Sequence, residues 1–307
     1  MENFSVTILG SSSASPTANR NTSGQLINYS NRLYLIDCGE GTQIQLRRNK
    51  IKFSRIHHIM ISHLHGDHFF GLVGLISSFN LFGRVKDLHI YSDPRIQDII
   101  QQQLDVSETE LRFKIIYHPL NFNEKAVMFE DKKLKISSFP LEHRIPTCGF
   151  IFQEKQSLPN IKKQAITKYK LSIDQIKEIR NGSDLVELDG NIIAHQEITT
   201  PSYEPRSYAY CSDTKYFEGL SENLENVELL YSECTFMKDL QNAAIDKFHL
   251  TTVDAANLAH ESKAKRLIVG HFSARYKDLT DFKNELQALC SCADLIEENK
   301  TYNIREE

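Results

Sequence analysis

Several features that mark specialised classes of protein are missing from this sequence. It opens with Met1-Glu2-Asn3-Phe4, where a secretory signal would carry basic residues and then an apolar stretch, and no apolar run approaches membrane-spanning length. With 13 glycines and 8 prolines among 307 residues, the composition is that of a globular chain and not of a fibrous or disordered one. We therefore expect a cytoplasmic protein with one large or two modest domains.

No Cys-x-x-Cys pair occurs among the six cysteines. Most of them lie in apolar, strand-like runs, which is typical of buried thiols in a reducing compartment. Cys290 and Cys292 are close enough in sequence to chelate a soft metal together, but no other thiol-rich segment accompanies them. We therefore interpret the whole set as buried, reduced thiols: Cys38, Cys148, Cys211, Cys234, Cys290 and Cys292.

An excess of positive charge is missing as well. The 36 basic and 40 acidic side chains give a net charge of −4, so any polyanionic ligand must be met by local charge. Such charge occurs in residues 153–181, where seven basic side chains accompany three acidic ones, a local +4 that leaves −8 for the remainder. Composition changes here too, from long apolar strands to Lys-rich, short-period sequence that continues to about Tyr203. A solvated surface that binds no ligand would show the same pattern. The sequence therefore leaves open whether this segment binds a polyanion.

What the sequence does contain is a dense group of metal-ligand side chains. Three imidazoles and a carboxylate lie within six positions, at His63, His65, Asp67 and His68. They follow an apolar run that predicts a buried strand and precede a segment with helical spacing, so they occupy the turn between strand and helix. The first two can point to one side of such a turn and the last two to another, which would let one loop serve two adjacent metals. A single His is usually a surface or core residue, but nitrogen and carboxylate ligands in this order suit zinc and similar ions.

The same strand-then-turn arrangement recurs along the chain. The sequence predicts a hairpin between residues 25–29 and 32–38, a helix over residues 69–82 and another over residues 253–262. Other predicted strands end next to a titratable side chain, and these residues are His143, Asp213, Glu233 and His271. Strands and helices that alternate in this way predict a layered α/β fold, in which loops after strands carry the functional residues.

Three motifs resemble those of a known group of enzymes. Residues 63–68 resemble the His-x-His-x-Asp-His signature of the metallo-β-lactamase superfamily of binuclear hydrolases, and residues 37–42 match its Asp-x-Gly-x-Gly-Thr motif. The segment His-Phe-Ser-Ala-Arg-Tyr at residues 271–276 makes the resemblance closer, to the short form of the ribonuclease Z family, which processes the 3′ ends of tRNA precursors. The resemblance implies an α/β fold, the four-layer αββα sandwich, as a single domain over residues 1–307 with a protruding basic arm inserted at residues 153–200.

The resemblance also implies a binuclear metal centre. Seven side chains would hold two Zn²⁺ per subunit, with Mn²⁺ or Fe²⁺ as alternatives: His63, His65 and His143 at one ion, Asp67, His68 and His271 at the other, and Asp213 as the bridge. Asp37 would anchor the metal loop by hydrogen bonds and would not bind metal itself.

In this family a metal-activated water attacks a phosphodiester and leaves a 3′-hydroxyl on the tRNA. By the resemblance, Asp67 accepts the proton of the attacking water. His249, held by Glu233, is the general acid that protonates the leaving oxygen. Ser273 and Arg275 hold the non-bridging phosphate oxygens, for which a bidentate guanidinium is well suited.

The resemblance extends to the partner, precursor tRNA. A Pro-containing loop with Arg20 and Asn21 would lie over the active site and contact RNA, and the arm would grip the tRNA elbow. The basic candidates of the arm are Lys162, Lys163, Lys168 and Lys170. Residues 169–174 depart from the Gly-Pro pair of family arms, and Leu250 stands where the family often has Ser. Family members dimerise so that one subunit's arm serves the other's active site, and we expect a homodimer with no membrane association.

Two other interpretations compete with a tRNA-processing endonuclease. Another hydrolase of the superfamily, acting on a small ester or phosphodiester, would need the metal ligands but not the arm. A non-catalytic binding protein would need neither, and seven intact ligand positions argue against it.

Overall fold

The structure is a computed structural model that describes residues 3–306. Among these residues, no helix has both the length and the apolar character that crossing a membrane requires. The cytoplasmic location expected from the opening residues stays a prediction, and Met1 and Glu2 lie outside the described residues.

The described chain alternates between strands and short helices. In chain order the strands are β1 (Phe4–Gly10), β2 (Gly24–Tyr29), β3 (Arg32–Ile36), β4 (Ile56–Met60), β5 (Leu88–Ser92), β6 (Ile115–Pro119), β7 (Ala126–Glu130), β8 (Leu134–Leu141), β9 (Thr147–Glu154), β10 (Asn160–Ile161), β11 (Leu185–Val186), β12 (Ile192–Ile193), β13 (Thr199–Thr200), β14 (Ser207–Cys211), β15 (Leu229–Glu233), β16 (Leu267–Gly270), β17 (Ala293–Leu295) and β18 (Thr301–Asn303). The α-helices are α1 (Thr42–Arg48), α2 (Gly66–Phe69), α3 (Leu72–Leu81), α4 (Arg95–Val106), α5 (Lys163–Lys168), α6 (Ile173–Arg180), α7 (His195–Ile198), α8 (Gln241–Lys247), α9 (Thr252–Glu261) and α10 (Thr280–Leu289).

Most strands belong to two seven-stranded sheets. The first has the order β18-β1-β2-β3-β4-β5-β6, antiparallel from β18 to β3 and parallel from β3 to β6. The second has the order β17-β16-β15-β14-β9-β8-β7, and its strands β14 to β17 are parallel. Parallel neighbours need crossover connections, and these carry the helices.

The described residues form two compact units. The larger unit contains the described residues up to Phe129, then Ile136–Phe152 and the described residues from Ser207 onward. The smaller unit, which we call the arm unit, contains Glu130–Lys135 and Gln153–Arg206, and the predicted arm at residues 153–200 falls within it. That the chain is one catalytic domain with an inserted exosite stays a prediction.

Within the larger unit the two sheets pack face to face. Tyr34 of β3 lies against Phe152 of β9 with ring centroids 5.7 Å apart, and Tyr208 of β14 donates a hydrogen bond to Gln25 of β2. The other face of the first sheet is covered by α1, α3 and α4, which bury Leu46, Leu72, Leu75, Ile76, Phe79, Ile96, Ile100 and Leu104. Helix α9 packs on β15 and α10 on β17 of the second sheet. The predicted four-layer αββα sandwich is therefore confirmed.

The helix predicted over residues 69–82 is interrupted in the structure. Helix α2 ends at Phe69, and α3 begins at Leu72. Gly71 N donates a hydrogen bond to Cys38 O at 2.9 Å, and a Cβ at Gly71 would lie only 2.2 Å from Gly39 O. The close approach of two backbones breaks the helix here and requires glycine.

The arm unit has an apolar core of its own. Its buried residues are Ala165, Leu171, Ile179, Leu185, Ile193 and Ile198. In the turn between α5 and α6, Lys170 has a φ of +50°, and Ser172 caps α6 in a capping box with Gln175. Residues 169–174, which lack the Gly-Pro pair, thus form the turn after α5 and the beginning of α6.

A buried ion pair joins the two ends of the long segment of the arm unit. Arg206 donates from Nε and Nη2 to the two carboxylate oxygens of Glu154, at 2.9 and 2.7 Å, and Glu154 N donates to Arg206 O at 2.9 Å. Neither side chain is more than 7% exposed. This contact holds the two ends side by side. Removing one partner of such a buried pair typically costs about 3–5 kcal/mol of stability.

Candidate metal centre and active site

Strand ends bring the predicted metal ligands to one edge of the larger unit. His63 follows β4, His143 follows β8, Asp213 follows β14 and His271 follows β16, each after a short step beyond the last strand residue. Loops at strand ends can present side chains beyond the sheet, so residues that are far apart in sequence meet here.

Three imidazoles converge with one carboxylate oxygen in the first cluster, which consists of His63, His65, His143 and Asp213. Nδ1 of His65 lies 3.1 Å from Nε2 of His63 and 3.1 Å from Nε2 of His143. Oδ2 of Asp213 lies 3.8 Å from Nε2 of His63 and 4.0 Å from Nε2 of His143. Donors around a tetrahedral ion with bonds of ~2.1 Å would be about 3.4 Å apart, so this spacing suits one ion.

Asp67, His68 and His271 form the second cluster, on the other side of Asp213. Oδ2 of Asp67 lies 3.6 Å from Nε2 of His68 and 3.4 Å from Nε2 of His271. Oδ1 of Asp213 lies 3.5 and 3.3 Å from the same two nitrogens. The two oxygens of Asp213 thus face different clusters, as a bridging carboxylate requires.

The Asp213 carboxylate is buried between the two clusters, with imidazole nitrogens 3.3 to 4.0 Å from its oxygens. The residue is 3% exposed, and its Oδ1 atom has no hydrogen-bond partner among the described residues. A buried carboxylate oxygen without a partner is costly unless a cation lies nearby. With the mixture of imidazole and carboxylate donors, this environment fits divalent zinc, manganese or iron.

Burial and neighbouring charges set the protonation states of the two clusters. Burial lowers the pKa of His63 well below its usual value, lowers that of His65, and lowers that of His143 to about 4. A metal-binding imidazole must be neutral, and a lowered pKa favours that form. Burial also acts to lower the pKa of His68, but the surrounding carboxylates, first that of Asp213, raise it well above the usual value. A bound cation can replace the proton that these carboxylates hold on His68.

The carboxylate of Asp37 orders the metal loop without belonging to either cluster. Its Oδ1 accepts a hydrogen bond from Ser62 N at 2.7 Å. Its Oδ2 accepts from Ser62 Oγ at 2.9 Å, from His68 Nδ1 at 2.7 Å and from Tyr210 Oη at 2.7 Å. The bond to Nδ1 leaves Nε2 of His68 to face the second cluster, in agreement with the anchoring role predicted for Asp37.

His249 lies beside both clusters and is held from behind by Glu233. Its Nδ1 is 2.9 Å from Glu233 Oε1, and its ring centroid is 5.3 Å from those of His143 and His271. Glu233 is fully buried and accepts further hydrogen bonds from the backbone amides of Thr214, Leu250 and Thr235 and from the Thr235 hydroxyl. Burial acts to lower the pKa of His249, but the Glu233 carboxylate raises it to about 9. The ring therefore keeps a proton at neutral pH, as a general acid must.

The loop residues predicted to contact RNA are bonded to the chain itself. Nη2 of Arg20 donates to the backbone oxygens of Ser273 and Tyr276, at 3.2 and 2.9 Å. Nδ2 of Asn21 donates to Glu298 Oε2 at 2.5 Å, and Asn21 N donates to Oε1 of the same carboxylate at 2.7 Å. Arg20 thus joins the loop to the segment after His271, and Asn21 joins it to Glu298.

The other predicted substrate contacts lie at the surface. Nε of Arg275 donates to Ser273 Oγ at 3.1 Å, and its guanidinium lies 5.0 Å above the ring of Phe236. The predicted arm contacts are exposed side chains in or next to α5, in the arm unit: Lys162, Lys163, Lys168 and Lys170.

Thr235 and the backbone amide of Ala14 hold site residues in place, and neither was expected from the sequence. Oγ1 of Thr235 lies 2.9 Å from Nδ1 of His271 and donates to Glu233 Oε2 at 2.9 Å. The backbone amide of Ala14 donates to Oδ2 of Asp67 at 2.7 Å. Only the position of Thr235, two residues after Glu233, could have indicated such a role.

A cavity of about 380 Å³ opens onto the two clusters. Besides cluster residues and His249, its lining includes the basic side chains of Arg144 and Lys247. Neither residue was expected from the sequence, although Arg144 directly follows His143. Both are placed to meet an anionic substrate at the cavity.

We expect Asp37→Asn to weaken zinc binding by about 10- to 100-fold, because an amide nitrogen cannot accept the bonds that hold Ser62 and His68. Competition against a chromophoric chelator measures this affinity. Tyr210→Phe is the matched control, since it removes one donor to the same carboxylate and leaves Asp37 able to accept from His68. Equal zinc affinities for the parent and Asp37→Asn would contradict the anchoring role.

Comparisons with known proteins agree on the fold and match the chain to two named families. Residues 4–178 match the family model described as Anti-Pycsar protein Apyc1. The structure resembles the crystal structure of human tRNase Z, short form, with a TM-score of 0.71 and 25% identity over 98% of this chain and 100% of that one. It also resembles the metallo-beta-lactamase fold protein YhfI from Bacillus subtilis, with a TM-score of 0.67 and 18% identity over 98% of this chain and 99% of the other.

Curated relatives match almost the whole chain. Ribonuclease Z from Bacteroides fragilis (strain YCH46) is 42% identical over 299 residues, which are 97% of this chain and 98% of the relative. Ribonuclease Z from Porphyromonas gingivalis (strain W83) is 41% identical over 289 residues, which are 94% of this chain and 95% of the relative. The chain therefore belongs to the family of the Anti-Pycsar Apyc1 model through residues 4–178 and, over nearly its whole length, to the ribonuclease Z family.

Proposed function

We propose that this chain is an endoribonuclease that removes the 3′ trailer of precursor tRNA and leaves a 3′-hydroxyl. The observation that carries the proposal is the pair of donor clusters around Asp213, in a chain similar over 97% of its length to a protein named Ribonuclease Z. A phosphodiester suits such a site, because the attacking and leaving oxygens of an in-line displacement can both be stabilised there.

Two divalent ions, zinc with manganese or iron as alternatives, would be held by the two clusters and shared through Asp213. Neutral imidazoles in the first cluster and the unpartnered Oδ1 of Asp213 support this assignment. When bound, such ions lower the pKa of a water molecule toward neutrality and neutralise charge on the phosphate.

Asp67 is our candidate for the acceptor of the water's proton. Burial acts to raise its pKa, but the neighbouring His68 and His271 lower it below the usual range, so the group is a carboxylate at neutral pH. The bond from Ala14 N fixes its Oδ2 atom between the two imidazoles. A proton taken up at this carboxylate stays within reach of the cavity.

His249 is our candidate for the general acid. The alkoxide of a ribose is a poor leaving group unless it is protonated as the bond to phosphorus breaks. Glu233 holds Nδ1 of His249 at 2.9 Å and leaves Nε2 to donate its proton. Arg275, together with Ser273, would hold the non-bridging phosphate oxygens, and Arg144 and Lys247 add positive charge at the cavity.

The arm unit is proposed to bind tRNA away from the point of cleavage. Residues 153–181 carry a net +4, but residues 182–200 contain four acidic side chains and no Lys or Arg, so the whole insertion has no net charge. The positive charge is therefore confined to the half that contains α5 and α6. Its four candidate lysines are exposed, as phosphate contacts must be.

We also propose that two copies of the chain form a homodimer. Three large apolar side chains around α2 and α3 are strongly exposed: Phe70 at 69%, Leu81 at 81% and Phe82 at 62%. Where exposed apolar side chains form one contiguous patch, they often mark an interface between proteins. Sedimentation velocity at micromolar concentration tests the proposal, and a monomer would contradict it.

The protein should cut a precursor tRNA that carries a 3′ trailer once, directly after the discriminator nucleotide. Mapping of the product ends at nucleotide resolution checks the position and the 3′-hydroxyl. His68→Ala should lose this cleavage and also the hydrolysis of bis(p-nitrophenyl) phosphate, because it removes a donor of the second cluster. If the metal-loaded parent hydrolysed only the small phosphodiester, the other hydrolase of the superfamily would be the better interpretation.

His249→Ala should slow cleavage of precursor tRNA by roughly 10²- to 10⁴-fold and leave the hydrolysis of bis(p-nitrophenyl) phosphate nearly unchanged. The reason is that p-nitrophenolate leaves without a proton, whereas a ribose oxygen does not. Single-turnover rates on both substrates measure the difference, with His260→Ala, an exposed histidine on α9, as control. An equal loss on both substrates would refute the general-acid role.

The exchange of Lys162, Lys163, Lys168 and Lys170 for Ala should weaken binding of precursor tRNA and spare turnover of the small phosphodiester. For each lysine that binds a phosphate, its removal should reduce the slope of log affinity against log salt by roughly 0.7 to 0.9. Binding titrations at several salt concentrations measure the slope. Replacement of residues 156–204 by a Gly/Ser loop, with Glu154 and Arg206 kept, should weaken binding of precursor tRNA more strongly than the four-lysine exchange. It should also spare turnover of the small phosphodiester.

Lys155→Ala is the matched control for the arm, because Lys155 is paired with Glu130 at the surface of the same unit. We expect it to bind as the parent does. An unchanged salt slope in both the four-lysine variant and the loop replacement would mean that the arm is an ordinary solvated surface.

A further inference from the structure

Two thiols meet where α10 gives way to β17. Sγ of Cys290 lies 3.0 Å from Sγ of Cys292, a hydrogen-bonding distance in which either thiol can donate. A disulfide bond is about 2.05 Å long, so the two sulfur atoms need to approach by only about 1 Å to be joined. The sequence indicated that the two thiols could lie close together, but the interpretation of both as buried is wrong for Cys292.

Backbone hydrogen bonds hold both residues in this position. Cys290 N donates to Leu286 O at 2.9 Å, and Cys290 O accepts from Ala293 N at 3.1 Å. Cys292 O accepts from Leu267 N at 3.2 Å, which fixes it to the start of β16. The thiols therefore face each other because the turn is held at both ends.

The two thiols differ in access to solvent. Cys290 is 1% exposed, whereas Cys292 is exposed and lines a surface cavity of about 230 Å³. Burial and the neighbouring thiol raise the pKa of Cys290 to about 11, so it is a poor first nucleophile. The remaining four cysteines, Cys38, Cys148, Cys211 and Cys234, are completely buried and serve as internal controls.

We propose that Cys290 and Cys292 are a reversible redox pair that a low-molecular-weight disulfide, such as glutathione disulfide, oxidises to an intramolecular disulfide. The thiolate of Cys292 attacks one sulfur of the reagent, its S–S bond breaks, and one glutathione thiolate leaves and takes up a proton. The Cys290 sulfur then loses its proton and attacks Sγ of Cys292, and the second glutathione leaves as a thiol. Two electrons pass from the two protein thiols to the reagent, and two molecules of glutathione are formed.

The pair is suited to exchange and not to a permanent cross-link. Stable structural disulfides belong to oxidising compartments, whereas exposed pairs that react by exchange are the labile ones. The proposal does not depend on the reaction that the metal centre performs.

The test is to equilibrate the full-length protein with buffers of defined glutathione disulfide to glutathione ratio. Acid quenching, unfolding and alkylation with N-ethylmaleimide then allow thiols to be counted by intact mass. The parent should lose two alkylatable thiols without retaining glutathione and regain them with dithiothreitol. Cys290→Ser should stop at a mixed disulfide and gain one glutathione, and Cys292→Ser should not react.

Three outcomes would overturn the proposal. They are six alkylatable thiols in the parent at every ratio, a stable glutathione adduct in the parent as in Cys290→Ser, and a disulfide-linked dimer on a non-reducing gel. Cys290 is buried and its substitution can unfold the protein, so Cys292→Ser at the exposed position provides an independent comparison. Circular dichroism and thermal unfolding of each variant report whether it is folded.

Discussion

The rest of the centre depends on the hydrogen bonds that the buried carboxylate of Asp37 accepts. It lies just after β3 in the first sheet, accepts two bonds from Ser62 after β4, and accepts one from Tyr210 on β14 of the second sheet. One side chain thus ties both sheets to the metal loop. Since an uncompensated buried charge is very costly, every one of these donors helps to make the carboxylate tolerable, and each is fixed in return. His68 is the fourth hydrogen-bond donor to this carboxylate, and the bond orients its ring.

The hydroxyl of Thr235 connects the proposed general acid with the proposed metal ligands. Thr235 donates from Oγ1 to Glu233, which holds His249, and the same oxygen lies at hydrogen-bonding distance from Nδ1 of His271. A change in charge at the second cluster is therefore felt at Glu233 through one intervening atom, and the reverse also holds. Residues that we assign to different steps of the reaction form a single hydrogen-bonded network, in which their effects are not expected to be additive.

The resemblance of short motifs to a known family predicted the donor set, and the structure brings all seven side chains together. It could not predict Tyr210, the amide of Ala14 or Glu298, because common groups gain such roles only through contacts between distant segments. The break between α2 and α3 was missed for the same reason, since the backbone that forces it belongs to Cys38 and Gly39. The net charge of +4 at residues 153–181 does not extend to the whole insertion, because four acidic side chains in residues 182–200 cancel it.

The loop that carries Arg20 and Asn21 depends on residues made much later in synthesis. Glu298 binds Asn21, and the adjoining β18 pairs with β1 as the edge of the first sheet. This loop therefore lacks its hydrogen bonds to Glu298 until about three hundred residues have been synthesised, and His271 of the second cluster is also synthesised late. A nascent chain therefore cannot complete the second cluster before His271 has been synthesised, so the hydrolysis that we propose cannot begin while the preceding residues are being translated.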